Sequence, residues 1–168
     1  MSTYYGKYRA TVIDNVDPLQ MGRLMVQVPD ISNVLPSTWA MPCLPFAGIQ
    51  SGFYVVRDID SGVWIEFEQG DPDYPIWVGC YWGSAAEVPA LALAAPPGVP
   101  QVLIQTTGQN TLLVSDVPGP TGGFLFKTAA GAFISISDIG ITISNGQGAT
   151  IEMTGPAVTI NEGAMEVI

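Results

Sequence analysis

The sequence predicts an all-β protein in two parts, a small antiparallel barrel followed by a stalk of short strands that requires copies of itself. Three observations carry this. Up to about Gly83 the chain holds five apolar segments of strand length separated by Gly, Pro and Asp turns, with no segment of helical period. Residues 84–98 then change character, with Ala and Pro dominant and no strand pattern. The last seventy residues return to strict two-residue alternation in short pieces, and nothing in the chain is available to cover their apolar faces.

In order, Tyr8-Arg9-Ala10-Thr11-Val12-Ile13 alternates and ends in the turn signal Asp14-Asn15-Val16-Asp17-Pro18. A second strand is expected over Gly22–Pro29, and a Pro-rich loop follows. Gly52–Val56 and Gly62–Glu68 are expected as two more strands, and Pro75–Trp82 as a fifth, all rich in β-branched and aromatic residues. Five short strands in about eighty residues fit an OB-like barrel. Three of the four tryptophans, Trp64, Trp77 and Trp82, fall in its last two strands, where core filling is their expected role. The domains are therefore 1–83 for the barrel, 84–98 for a linker stiffened by Pro96-Pro97, and 99–168 for the stalk.

In the stalk, alternation resumes at Gln101–Thr106, Thr111–Ser115 and Phe124–Lys127, then becomes shorter and plainer. The inward positions of the final strands are Ile134 and Ile136, Ile141 and Ile143, Ile151 and Met153, Val158 and Ile160. Asn145-Gly146-Gln147-Gly148 and Gly155-Pro156 separate them as turns. Rungs this short cross one side of a narrow prism, so three chains, each supplying one side per level, close it. The expected product is a homotrimer with an intertwined triple-stranded β-helix and strands paired between chains, which leaves few free edges.

Composition narrows the functions. Apolar residues make 48% of the chain, too many for a disordered one, and only 12% are charged, which suits surface hidden in an assembly. Net charge is −10, so three copies carry −30, the wrong sign for tracking phosphates, and no nucleic-acid partner is expected. The absence of histidine removes imidazole-based nucleophilic catalysis. With two cysteines, Cys43 and Cys80, a zinc site is improbable on composition, and both thiols are expected buried and reduced. Asp71-Pro72-Asp73 reads as a hairpin loop rather than a carboxylate pair for acid–base work, although a glycosidase pair is a matter of geometry that composition does not decide. Gly119-Pro120-Thr121-Gly122-Gly123 lacks the lysine and strand-to-helix context of a phosphate loop. No catalytic, cofactor or metal residues are assigned. No apolar run reaches the length of a membrane helix and the N-terminus lacks a signal-peptide pattern, so synthesis in the cytoplasm is expected.

The barrel segment resembles the OB domain of contractile-injection spikes, the phage baseplate assembly protein V family and the related part of VgrG. The blocks that carry it are Gly6-Lys7-Tyr8-Arg9-Ala10-Thr11-Val12, Asp14–Pro18, Gly22-Arg23-Leu24-Met25-Val26-Gln27-Val28-Pro29, Trp39–Gly48 and Gly62–Gly79, in family order across residues 6–82. The tail, with Gly131-Ala132-Phe133-Ile134-Ser135-Ile136 and Gly148-Ala149-Thr150-Ile151, is similar to the triple-stranded β-helix that follows in such spikes. The resemblance implies a structural spike, assembled into a virion or phage tail-like particle, that joins a baseplate hub protein to the tip and pierces the target envelope. Some phage relatives carry a lysozyme domain between the two parts; here the gap is only about fifteen residues. VgrG proteins carry a hub domain before the barrel, so a separate hub is implied. Certain spikes bind a tip metal through histidines, which this chain lacks, so a separate PAAR-type tip protein is implied.

An alternative is an OB-fold module recognising carbohydrate or single-stranded nucleic acid on a trimeric β-stalk. Single-strand binding needs a basic groove, which the charge disfavours. Sugar binding would use the Trp and Tyr side chains.

Overall fold

The computed structural model describes residues 2–31, 35–162 and 164–167. It is all-β and divides into two compact units, Met1–Glu87 and Val88–Ile168. Among the described residues, no helix is long and apolar enough to cross a membrane.

The first unit contains β1 (Tyr8–Asp14), β2 (Met25–Gln27), β3 (Met41–Pro42), β4 (Ala47–Gly48), β5 (Ser51–Gly52), β6 (Gly62–Phe67) and β7 (Pro75–Tyr81). Five of these form one sheet in the order β2-β1-β6-β7-β3, antiparallel except for the β3–β7 pair. Alternation dictates the packing: β6 turns Val63, Ile65 and Phe67 into the core and leaves Gly62, Trp64 and Glu66 on the outer face. Ala10, Val12, Leu24, Val26, Val28, Ala40 and Trp77 complete that core. Bulges at Ile13 and Val78 interrupt the β1–β2 and β6–β7 registers, the device that bends and coils a sheet. The result is a curled, OB-like sheet around one apolar interior.

Three expectations for this unit are corrected. The strand predicted over 52–56 is absent beyond the short β4–β5 hairpin, and the fifth strand of the sheet is Met41–Pro42. Phe53, Tyr54 and Val56 have strand-forming side chains but stand largely exposed, because β3 already pairs with the β7 edge they would have occupied. Of the tryptophans, Trp77 alone is core, donating its indole N–H to the Gly22 carbonyl at 3.0 Å; Trp64 lies on the outer face and Trp82 is exposed. Both cysteines are free, but exposed rather than buried. Cys80 stands opposite Val63 in the register, yet it lies beyond the Val78 bulge and one residue from the end of β7, where the core gives out. The Asp71-Pro72-Asp73 segment is a turn, with the Asp71 carboxylate accepting the Asp73 N–H at 3.0 Å.

The second unit contains β8 (Gln101–Gln105), β9 (Thr111–Ser115), β10 (Gly123–Lys127), β11 (Phe133–Ser137), β12 (Gly140–Ser144), β13 (Thr150–Thr154), β14 (Ala157–Ile160) and β15 (Met165–Val167). They form a single antiparallel sheet in sequence order. Two-residue turns at Asp138-Ile139 and Gly155-Pro156 allow only hairpin returns. In the five-residue turn after β12, the Asn145 side chain accepts the N–H groups of Gln147 and Ala149 at 2.8 and 3.0 Å. Gly123, at φ 78°, marks a close approach, since a Cβ there would lie 2.0 Å from the Ile136 carbonyl oxygen. Within one chain, each strand of this sheet is hydrogen-bonded to its neighbours in sequence.

Candidate functional site

The register of the second unit aligns its apolar residues into two rows on one face. One row runs Ile104, Leu112, Phe126, Ile134, Ile143, Ile151, Ile160 and Met165, each directly opposite the next on neighbouring strands. The other runs Val102, Val114, Phe124, Ile136, Ile141, Met153 and Val158. All eight residues expected to point inward, Ile134, Ile136, Ile141, Ile143, Ile151, Met153, Val158 and Ile160, lie in these two rows. Six residues of the first three strands extend them, and sequence reasoning did not assign those. Alternation hides there because β8, β9 and β10 are apolar at every central position, as in Val102-Leu103-Ile104.

The opposite face carries a central row of different chemistry: Leu103, Leu113, Leu125, then Ser135, Thr142, Glu152 and Thr159. From β11 onward one face is therefore apolar and the other polar. Among the described residues of this unit, nothing covers the apolar one. Ile104 is 54% exposed, Phe126 50% and Ile134 42%. Ile104, Leu112, Phe126, Ile134 and Ile143 line an open groove of about 600 Å³. Among the described residues, the first unit has ten buried apolar residues in its core and the second has one, Leu113. An eighty-residue unit with one buried apolar side chain leaves most of its hydrophobic stabilisation unrealised as a single chain. An apolar face of this extent marks an interaction surface.

The barrel's main electrostatic feature is a loop knot. Asp17, whose side chain is 4% exposed, accepts the backbone N–H groups of Leu19, Met21 and Arg23 at 3.0, 2.8 and 3.2 Å. The Arg23 guanidinium adds two bonds to the same carboxylate, at 3.0 and 2.6 Å. The Arg23 side-chain bonds, then the backbone donors, hold the Asp17 carboxyl far below its ordinary value of 3.8, against an opposing effect of burial. A carboxylate depressed in the folded state contributes stability above its unfolded value and loses it as pH falls through the folded one. The barrel's melting temperature is thus expected to hold as pH drops towards 4 and to fall progressively below it. Asp17→Asn, measured by tryptophan fluorescence melts across that range, should lower the melting temperature at pH 7 and flatten its fall in acid.

On the outer face of the barrel, Trp64 and Tyr81 lie 5.0 Å apart at 51°, and the Arg9 guanidinium covers both, 5.4 Å from one ring and 5.1 Å from the other. Arg9 thus covers the ring faces of Trp64 and Tyr81, while Trp82, Tyr74 and Tyr54 stand exposed. Among the described residues no group of three or more His, Cys, Asp or Glu is placed to hold a metal ion.

Comparison with known families agrees with both units. Residues 8–82 match the Type VI secretion system/phage-baseplate injector OB domain, and residues 101–166 match the phage baseplate V C-terminal trimerisation domain. Comparison with curated proteins returns no match. Both families are structural components of baseplates, and the second supports self-association of this chain and its incorporation into a virion or tail-like particle. With an injector OB barrel followed by a trimerisation domain, the chain belongs to the phage baseplate V family of spike proteins.

Proposed function

We propose that the chain is the homotrimeric central spike of a contractile injection baseplate, and that it pierces the target envelope. The barrel, residues 1–83, attaches to a separate hub protein; the linker, 84–98, leads into the shaft, 99–168, which a separate PAAR-type protein tips. One observation supports this most: two unbroken apolar rows on one face of an eight-stranded sheet whose other face turns polar. Three such faces directed at a common axis bury one another and leave Ser135, Thr142 and Thr159 outside, giving a thin shaft with few long side chains. Ile134, Ile136, Ile141, Ile143, Ile151, Met153, Val158 and Ile160 form its interior. Each contributes roughly 1.5–3 kcal/mol relative to exposure, which sums over three chains to tens of kcal/mol before chain entropy is subtracted. A shaft held this way resists force kinetically as well as thermodynamically.

Quantitative mass spectrometry of purified particles from cells that carry this chain is expected to find three copies per particle. Absence from the particles, or a copy number that is not a multiple of three, contradicts the spike.

A further inference from the structure

The outer face of the barrel carries a cation that has no counter-charge among the described residues, in a unit that has acids to spare. Residues 1–87 hold ten acidic and four basic side chains. Lys7 pairs with Glu66 and Arg23 with Asp17, while Arg57 is half-buried. Arg9 is exposed, and among the described residues it has aromatic contacts and no carboxylate.

Its position is built rather than incidental. Arg9 stands directly opposite Trp64 in the β1–β6 register, and Trp64 stands opposite Gly79, where no side chain competes for the ring's space. Tyr81 lies over Gly62, where a Cβ would meet the ring at 2.8 Å, so any larger residue displaces it. The Tyr81 hydroxyl reaches the Ala10 carbonyl at 3.4 Å. A guanidinium stacked on two fixed rings has lost much of its freedom already, and its N–H edge stays available for a planar acceptor. Arg, Trp and Tyr are also the side chains that dominate binding hot spots.

We propose that this platform is a barrel-to-barrel contact, in which Arg9 of one protomer binds a carboxylate of the next copy of the chain. The inference rests on the homotrimeric reading above. Three features favour a second copy as the occupant. The chain self-associates through residues 101–166, so the tethered barrels meet at effective concentrations in the millimolar range. Each barrel is net negative, and three brought together repel unless cations are placed between them. A threefold ring also needs two different patches that meet head to tail, here a cationic aromatic patch and an acidic one. The turns with Asp60, and with Glu68 and Asp73, supply exposed acids.

The test uses the full chain with Arg9→Lys, prepared in light and nitrogen-15-labelled forms, unfolded together and refolded. Native mass spectrometry reads the assembly and its mixing. A water-soluble carbodiimide then joins amines to carboxylates in direct contact, with Lys7–Glu66 as the within-chain standard. The expected result is a trimer in which the introduced amine is coupled to an Asp or Glu peptide in light–heavy pairs. In parallel, Arg9→Gln should raise carbodiimide labelling of that same acid several-fold over the wild-type trimer. A trimer in which the introduced amine couples only within its own chain, or not at all, overturns the platform and leaves the trimer standing. A monomer overturns both.

Discussion

Replacing Ile143 with Asp is expected to abolish the heat and detergent resistance of the assembled protein, whereas Thr142→Asp one residue away is expected to leave it nearly intact. Ile143 lies mid-sheet in an apolar row, between Ile134 and Ile151. In the trimer the substitution places three carboxylates around one axis, buried and mutually repelling. Burying an unpaired charge costs several kcal/mol even after relaxation, and like charges add to it. Thr142 belongs to the opposite face, between Ser135 and Glu152. A carboxylate there stays in water, and its proximity to Glu152 costs on the order of 0.2–1 kcal/mol. Unboiled gel electrophoresis over a temperature series separates the two outcomes. Equal losses, or the reverse order, mean that the apolar face is not the interface.

Residues 1–87 expressed alone are expected to fold as a monomer. The ten buried apolar residues of the barrel core lie between Ala10 and Trp77. Glu87 closes the unit locally by accepting the Gly83 N–H at 2.9 Å. Removing the rest of the chain therefore costs the barrel none of its core but removes both apolar rows. Circular dichroism should retain its β signature while sedimentation gives a single chain. Tethered barrels lose their millimolar effective concentration when cut free, so the Arg9 contact alone does not hold them at micromolar protein. A fragment that stays fully trimeric at low concentration places the clamp in the barrel instead.

Much of this fold was legible because alternation alone dictates it. The eight residues from Ile134 to Ile160 that share the apolar face could be named from period-two spacing, since small polar residues such as Ser135 and Thr142 mark the other face. The same rule failed over β8 to β10, where Leu103, Leu113 and Leu125 make both faces apolar and the parity disappears. In the barrel it overreached at Phe53-Tyr54-Val55-Val56, whose strand propensity is real but whose edge is taken by Met41-Pro42. Two residues hydrogen-bonded beside β7 carry no sequence signal strong enough to outrank four β-formers. The Arg9 platform was out of reach for another reason. Its parts are spread over three strands, and only the β1–β6–β7 register and the bulge at Val78 bring Arg9, Trp64 and Tyr81 together.

The most direct test of the central claim, that three apolar faces close on one another, is the mass of the purified full-length protein by multi-angle light scattering. The expected value is three times the 17.8 kDa of a single chain, unchanged on dilution. A monodisperse 17.8 kDa species contradicts the shaft, the spike and the barrel contact together.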